Sequence, residues 1–128
     1  MKIRMLFATM GAVALVFSGA AVAEEHAAMK AVEKASAVKG EVLDLSCYMG
    51  HGGQGEGHAG CAAKCLQGGA PMGLLGTDGA VYLLFADHSD ASAYEKTKGF
   101  AGKNVEVTGE VATKGALKGI TVHGVKAL

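Results

Sequence analysis

Hydrophobic and polar residues alternate in several short segments from about residue 40 onward, and a period of two is typical of half-buried strands. Between Glu41 and Cys47, this alternation places Leu43, Leu45 and Cys47 on one face of a strand. The same pattern predicts strands at residues 72–75, 81–85 and 104–111, and a last strand around Ile120 and Val122. We therefore expect five short strands.

Two short helices and a tight turn complete the pattern. Asp90 has the chemistry of an N-cap for a helix that stops at Gly99, and the Ala-rich stretch His58–Leu66 predicts another helix. Asp78–Gly79 predicts a hairpin turn between the second and third strands. The segment Gly50–Gly60 contains six glycines in eleven residues and predicts an irregular loop. The Ala-rich helix therefore belongs to a glycine-rich insertion after the first strand.

The elements follow the order strand, glycine-rich insertion, hairpin, short helix and second hairpin. Five strands with a helix between the third and fourth have the order of an OB-fold, which is a small Greek-key barrel. A small β-sandwich or an open α+β sheet has a compatible order. We predict a mainly β fold, a five-stranded OB-like Greek-key barrel with one short helix between strands 3 and 4. The glycine-rich insertion adds the second short helix.

The N-terminus has the organisation of a secretory signal peptide. A basic head, Met1–Arg4, precedes the uncharged apolar run Met5–Phe17, and Ala21–Ala23 matches the A-x-A cleavage pattern. The run is shorter than the roughly 20 residues needed to span a bilayer, so we expect no stable membrane anchor after cleavage. We predict a signal peptide at 1–23, a flexible segment at 24–39 and an OB-like domain at 40–128 whose Cys/His loop spans 47–69. The protein is then periplasmic or secreted.

Charge excludes one class of partner. The 128 residues contain 12 basic and 12 acidic side chains, and the signal peptide would remove Lys2 and Arg4 without removing an acid. The remaining chain is slightly acidic, so it offers no electrostatic footprint for nucleic acid. Export also places the three cysteines in an oxidising compartment.

All three cysteines and two of the five histidines fall within nineteen residues. On a helix, His58, Cys61 and Cys65 have the i, i+3, i+7 spacing that places side chains on one face. Folding the glycine-rich loop back brings Cys47 and His51 against that face. Four such donors suffice for tetrahedral Zn²⁺, and thiolates equally suit Cu(I). We therefore predict a zinc or copper site with the ligands Cys47, His51, His58, Cys61 and Cys65, in which His58 is preferred over His51.

A disulfide is the main alternative, because cysteines usually pair in an oxidising compartment. Cys47 reaches Cys61 or Cys65 more easily than these two helical cysteines reach each other. Either pairing leaves one thiol over and gives the histidines no role, so we favour the metal site. The alternatives are a disulfide-stabilised ligand-binding module and, with less support, a thiol redox protein, for which the C-x-x-C motif is absent. A binding protein is better supported than an enzyme.

The chain resembles small exported bacterial proteins with an OB-like core and a Cys/His-bearing first loop. This resemblance covers about residues 40–126 and implies the fold more than an activity. The metal ion is the partner that we predict, and its role is structure, buffering or delivery.

A second metal site depends on the position of signal cleavage. Cleavage after Ala23 would start the mature chain at Glu24, Glu25 and His26. A free α-amine, two backbone amides and a histidine in third place match the tetragonal geometry that Cu(II) and Ni(II) prefer. We therefore include these three residues as a conditional second site.

Overall fold

A computed structural model describes residues 35–128. The predicted signal peptide and the conditional metal site at Glu24, Glu25 and His26 lie outside the described residues. The described elements, in chain order, are β1 (Ser36–Asp44), α1 (Leu45–His51), a 3₁₀ turn (Glu56–His58), α2 (Ala59–Gln67), β2 (Met72–Gly76), β3 (Val81–Ala86), α3 (Ser92–Lys98), β4 (Asn104–Lys114) and β5 (Leu117–Ala127).

The five strands of the described region form a closed barrel in the order β1-β2-β3-β5-β4, and β4 pairs with β1 to close it. β3 and β5 are parallel, whereas the other neighbouring strands are antiparallel. The protein is therefore mainly β, as predicted, and this strand order is compatible with the expected OB-like barrel. Among the described residues, no helix is long and apolar enough to cross a membrane.

β1 closes the barrel because its two halves have different partners. Residues Ser36–Glu41 pair with β4, and residues Gly40–Asp44 pair with β2. Gly40 belongs to both ladders, and a side chain there would collide with the backbone carbonyl of Leu75. The first four residues of β1 lie within the segment 24–39 that the sequence pattern set apart from the domain.

The core lies inside the barrel and is built from the inward faces of the strands. β4 and β5 contribute side chains from alternate positions, as the period of two predicts. Helix α2 covers the core with Ala62 and the fully buried Leu66. The helix that carries two of the cysteines is therefore fixed to the barrel by apolar packing. The core includes Val42, Leu74, Leu84, Val105, Val107, Ile120 and Val122.

The first strand ends earlier than its alternation predicts, and the prediction of a strand through Cys47 is wrong. Asp44 is the N-cap of α1, and its Oδ1 accepts a hydrogen bond from the Ser46 amide at 2.9 Å. This cap satisfies an amide that the first turn of a helix would otherwise leave unpaired. The chain therefore turns into a helix directly after Asp44.

His51 is also placed differently from the prediction, which put it in an irregular loop. It is the last residue of α1. Gly52 ends the helix with a φ of 72°, a left-handed conformation that glycine adopts without a side-chain clash, and its amide bonds to the Tyr48 carbonyl at 2.9 Å. The two predicted helices, at His58–Leu66 and between Asp90 and Gly99, are confirmed as α2 and α3.

Candidate metal centre

Two short helices bring the cysteines together beside the end of β1. Cys47 lies in the first turn of α1, and Cys61 and Cys65 lie one turn apart on α2. The start of α1 is fixed to the segment that follows α2, because the Leu45 amide donates to the Pro71 carbonyl at 2.9 Å. The predicted approach of Cys47 to the helical cysteines is therefore achieved by two short helices that are joined by a glycine-rich segment.

Three donors form what we call the outer group: Cys47, His58 and Cys61. One ligand atom from each residue lies within 4.8 Å of the other two. Cys61 is exposed, whereas Cys47 and His58 are half-buried. His58 Nε2 is a buried atom without a hydrogen-bond partner. Two sulfurs and an imidazole nitrogen at this spacing can hold a transition-metal ion.

A second set, which we call the inner group, consists of Asp44, Cys47 and Cys65, whose ligand atoms also lie within 4.8 Å of one another. Asp44 is 1% exposed, and its Oδ2 is buried without a hydrogen-bond partner. Cys47 belongs to both groups, but the two groups do not merge into one set at this spacing. The described residues therefore offer two overlapping three-donor positions.

The pKa of Asp44 is lowered, whereas the pKa values of the neighbouring Cys47 and Cys65 thiols are raised. Burial alone would raise the pKa of Asp44, but the adjacent Cys47 thiol, the Ser46 amide and the Cys65 thiol together lower it. The same carboxylate raises the pKa of Cys47 to about 12, and it also raises the pKa of Cys65. Oδ1 accepts the Ser46 amide, whereas Oδ2 has no partner in hydrogen-bonding geometry. We therefore attribute the part of these pKa shifts that involves the thiols to their close approach rather than to formed hydrogen bonds. A bound metal ion would displace the thiol protons.

His51 is close to the outer group but belongs to neither group. Its ring centroid lies 5.3 Å from that of His58, and the two rings meet edge to face at 71°. The side chain of His51 is exposed. The structure thus brings Cys47, His58, Cys61 and Cys65 together as donors and places His51 at the rim.

The imidazole of His58 is held by the glycine-rich segment. A Cβ atom on Gly53 would lie 2.7 Å from His58 Nε2, so the backbone of this buried glycine lies directly against the ring. The segment is tied to the barrel by the Gly55 amide, which donates to Glu41 Oε1. Gly102, on the loop before β4, lies against Ala59 and the Gly55 carbonyl. The glycines therefore serve close packing around His58.

The structure bears directly on the alternatives to a metal. All three cysteines of the chain lie in the described part, and none forms a disulfide. A thiol redox protein needs a reactive thiolate with a lowered pKa, but the pKa values of Cys47 and Cys65 are raised.

Sequence reasoning missed Asp44 as a member of the site. The available signal was its position directly before Leu-Ser-Cys, where an aspartate can cap a helix and place its carboxylate beside the residue three positions later. The two remaining histidines of the described region lie outside both groups. His88 is exposed, and His123 Nε2 lies 3.1 Å from Asp87 Oδ2.

No protein-family model, curated protein or solved structure matches the chain. Function is therefore inferred from the donor atoms themselves. Three sulfurs, one imidazole and one buried carboxylate lie in two overlapping groups, and this combination can hold a metal ion.

Proposed function

We propose that this chain is an exported metal-binding protein with an OB-like barrel, and that its Cys/His/Asp cluster holds zinc or copper for buffering or delivery. One observation carries the proposal. Within residues 35–128, the buried side-chain polar atoms without a hydrogen-bond partner are Asp44 Oδ2 and His58 Nε2, and both residues belong to the cluster. An unsatisfied buried polar atom costs about 1–3 kcal/mol, and a metal ion that binds these side chains offsets that cost.

The donor set favours zinc over copper. Zn²⁺ is bound by cysteine sulfur, histidine nitrogen and aspartate oxygen, so it accepts every donor of the cluster. Cu(I) prefers thiolates and thioethers, and the carboxylate of Asp44 is a poor match for it. Zinc is therefore the first ion to test, with Cu(I) as the comparison.

The role of the ion follows from where the cluster lies. Structural zinc sites are closed by four protein ligands, whereas the outer group has three donors and includes the exposed Cys61. The core is built from apolar side chains of the strands together with Ala62 and Leu66 of α2, and it contains none of the donor side chains of the cluster. Reversible binding, as in buffering or delivery, agrees with this arrangement better than a structural ion does.

Native and denaturing mass spectrometry test the proposal on full-length protein purified from the producing cells without chelator. We expect one zinc per chain under native conditions, and three free thiols after denaturation without reductant. Cys47→Ser removes the donor that both groups share and should lower the metal content, whereas the control His88→Ala, which changes an exposed histidine outside both groups, should not.

A disulfide in metal-free protein would contradict the proposal. Metal-free protein that is two hydrogens lighter than the reduced chain would show a disulfide and would support the ligand-binding module instead.

The same spectra measure the N-terminus, and a chain that begins at Glu24 would support export. A chain that retains residues 1–23 would contradict the export part of the proposal.

A further inference from the structure

We propose that the outer and inner groups are two successive positions for a single divalent ion, which enters through the outer group and is held by the inner group. Cys47 is the ligand common to both positions. This inference rests on the proposed function and adds to it a route and a preference for divalent over monovalent ions.

The direction of the route follows from burial. The outer group contains the exposed Cys61, so an ion in solvent reaches it first. The inner group contains Asp44, which is 1% exposed. An ion that moves from the first group to the second exchanges the exposed Cys61 and the half-buried His58 for the half-buried Cys65 and the buried Asp44, and its release to solvent becomes slower.

Two positions agree with the spacing of the donors better than one position does. With zinc–sulfur bonds near 2.3 Å and zinc–nitrogen or zinc–oxygen bonds near 2.0–2.2 Å, one tetrahedral ion would need all its donors within about 4 Å of one another. The donors form two groups that do not merge even at 4.8 Å. Because both groups contain Cys47, the ion can change its other ligands without leaving the protein.

The exchange conserves protons among the cysteines. As the ion moves inward, Cys65 loses its thiol proton on binding, and the released thiolate of Cys61 takes up a proton. His58 leaves as a neutral imidazole, and Asp44 enters as a carboxylate. The inner position thus presents one more negative charge than the outer one, and attraction to this extra charge is stronger for a divalent ion than for Cu(I).

Stopped-flow kinetics with Zn²⁺ test this route on the full chain. Asp44→Asn removes an inner donor but keeps a side chain that caps helices as well as aspartate does. We expect an unchanged association rate and dissociation that is about 10–100-fold faster, the size of effect typical for groups that support a metal ligand. If Asp44→Asn fails to fold, Cys65→Ser replaces it as the inner-group variant.

The outer group has a different kinetic signature. Cys61→Ser removes an entry donor, so it should slow association and dissociation by a similar factor of about tenfold or more, with the equilibrium affinity changed by less than that. Gly60→Ala is the matched control, since a side chain there meets no atom within 4 Å. A single shared site instead predicts that both cysteine and aspartate variants weaken equilibrium affinity through faster dissociation, and that result would overturn the route.

Cobalt spectroscopy supplies a second, independent readout. With Co²⁺ bound at equilibrium, the inner position gives thiolate-to-cobalt absorption from two cysteines. Absorption from three cysteines would overturn the two-position proposal but leave the proposed function intact. Wild-type protein that binds neither Zn²⁺ nor Co²⁺ would overturn both.

Discussion

Replacing Gly53 by alanine should displace the imidazole of His58 without disturbing the barrel. The added methyl group would lie 2.7 Å from Nε2, 2.9 Å from Cδ2 and 3.0 Å from Cε1 of that ring. These atoms normally stay about 3.5–4.0 Å apart. Gly53 has no left-handed backbone conformation, so alanine introduces no strain of its own at this position. The ring is the movable partner in this contact, since it is the end of a side chain.

The size of the effect follows from the same distances. Restoring a normal contact moves the ring by about 0.8 Å, whereas metal–ligand distances are conserved to about 0.2 Å. His58 would therefore be lost as a well-placed donor. Because His58 belongs to the outer group through which the ion enters, its loss should slow zinc association by about tenfold or more, whereas the equilibrium affinity set by the inner group should change by less than that.

Stopped-flow transfer of Zn²⁺ from a coloured chelator to the protein measures this change. Gly50→Ala is the control, because a methyl group at Gly50 meets no atom within 4 Å. Gly53→Ala should take up zinc more slowly than both wild type and Gly50→Ala, while urea unfolding shows that the barrel is intact. A wild-type association rate in a folded Gly53→Ala variant would refute the assignment of His58 as an entry donor.

Three further predictions concern the fold that supports the site. Gly102→Ala should destabilise the protein more than Gly115→Ala in urea unfolding. Both positions have positive φ and carry an alanine penalty of about 1–2 kcal/mol, but only Gly102 adds contacts near 2.8 Å, so equal losses would contradict this packing. Leu66→Ala should lower the free energy of unfolding by about 2–5 kcal/mol, because the side chain is fully buried beneath α2, and a loss below 1 kcal/mol would argue against that role. Hydrogen bonds from Ser89 lower the pKa of Asp87 to about 2. The ionised Asp87 carboxylate therefore stabilises the folded state above about pH 4, and this contribution is lost as the pH falls through 2. Thermal unfolding should therefore show Asp87→Asn to be destabilising at neutral pH, with a difference from wild type that disappears near pH 2.

Most of the barrel could be predicted because its strands follow a simple rule. In β4, Val105 and Val107 are fully buried and alternate with polar residues, as the period of two requires. The start of β1 could not be found in this way. Ser36–Lys39 has little apolar alternation, and its strand conformation depends on backbone pairing with β4, which is distant in sequence.

The site was predictable in its sulfur and nitrogen donors but not in its geometry. The crowding of cysteine and histidine along the chain is sufficient to indicate Cys47 and His58 as donors. The alternation of Leu43, Leu45 and Cys47 suggested a continuous strand, in which Asp44 would point away from Cys47. A helix forms here instead of a continued strand, because the Asp44 side chain accepts a hydrogen bond from an amide of the first helical turn. The same cap places the carboxylate beside Cys47.

Zinc-edge X-ray absorption on the full chain loaded with one equivalent of Zn²⁺ tests the central claim most directly. The chain's three cysteines all lie in the cluster, so thiolate sulfur around the ion would locate it there. We predict two sulfur neighbours at about 2.3 Å, with nitrogen or oxygen atoms completing the shell. A shell made only of nitrogen and oxygen at about 2.0–2.2 Å would contradict binding by the cysteine cluster.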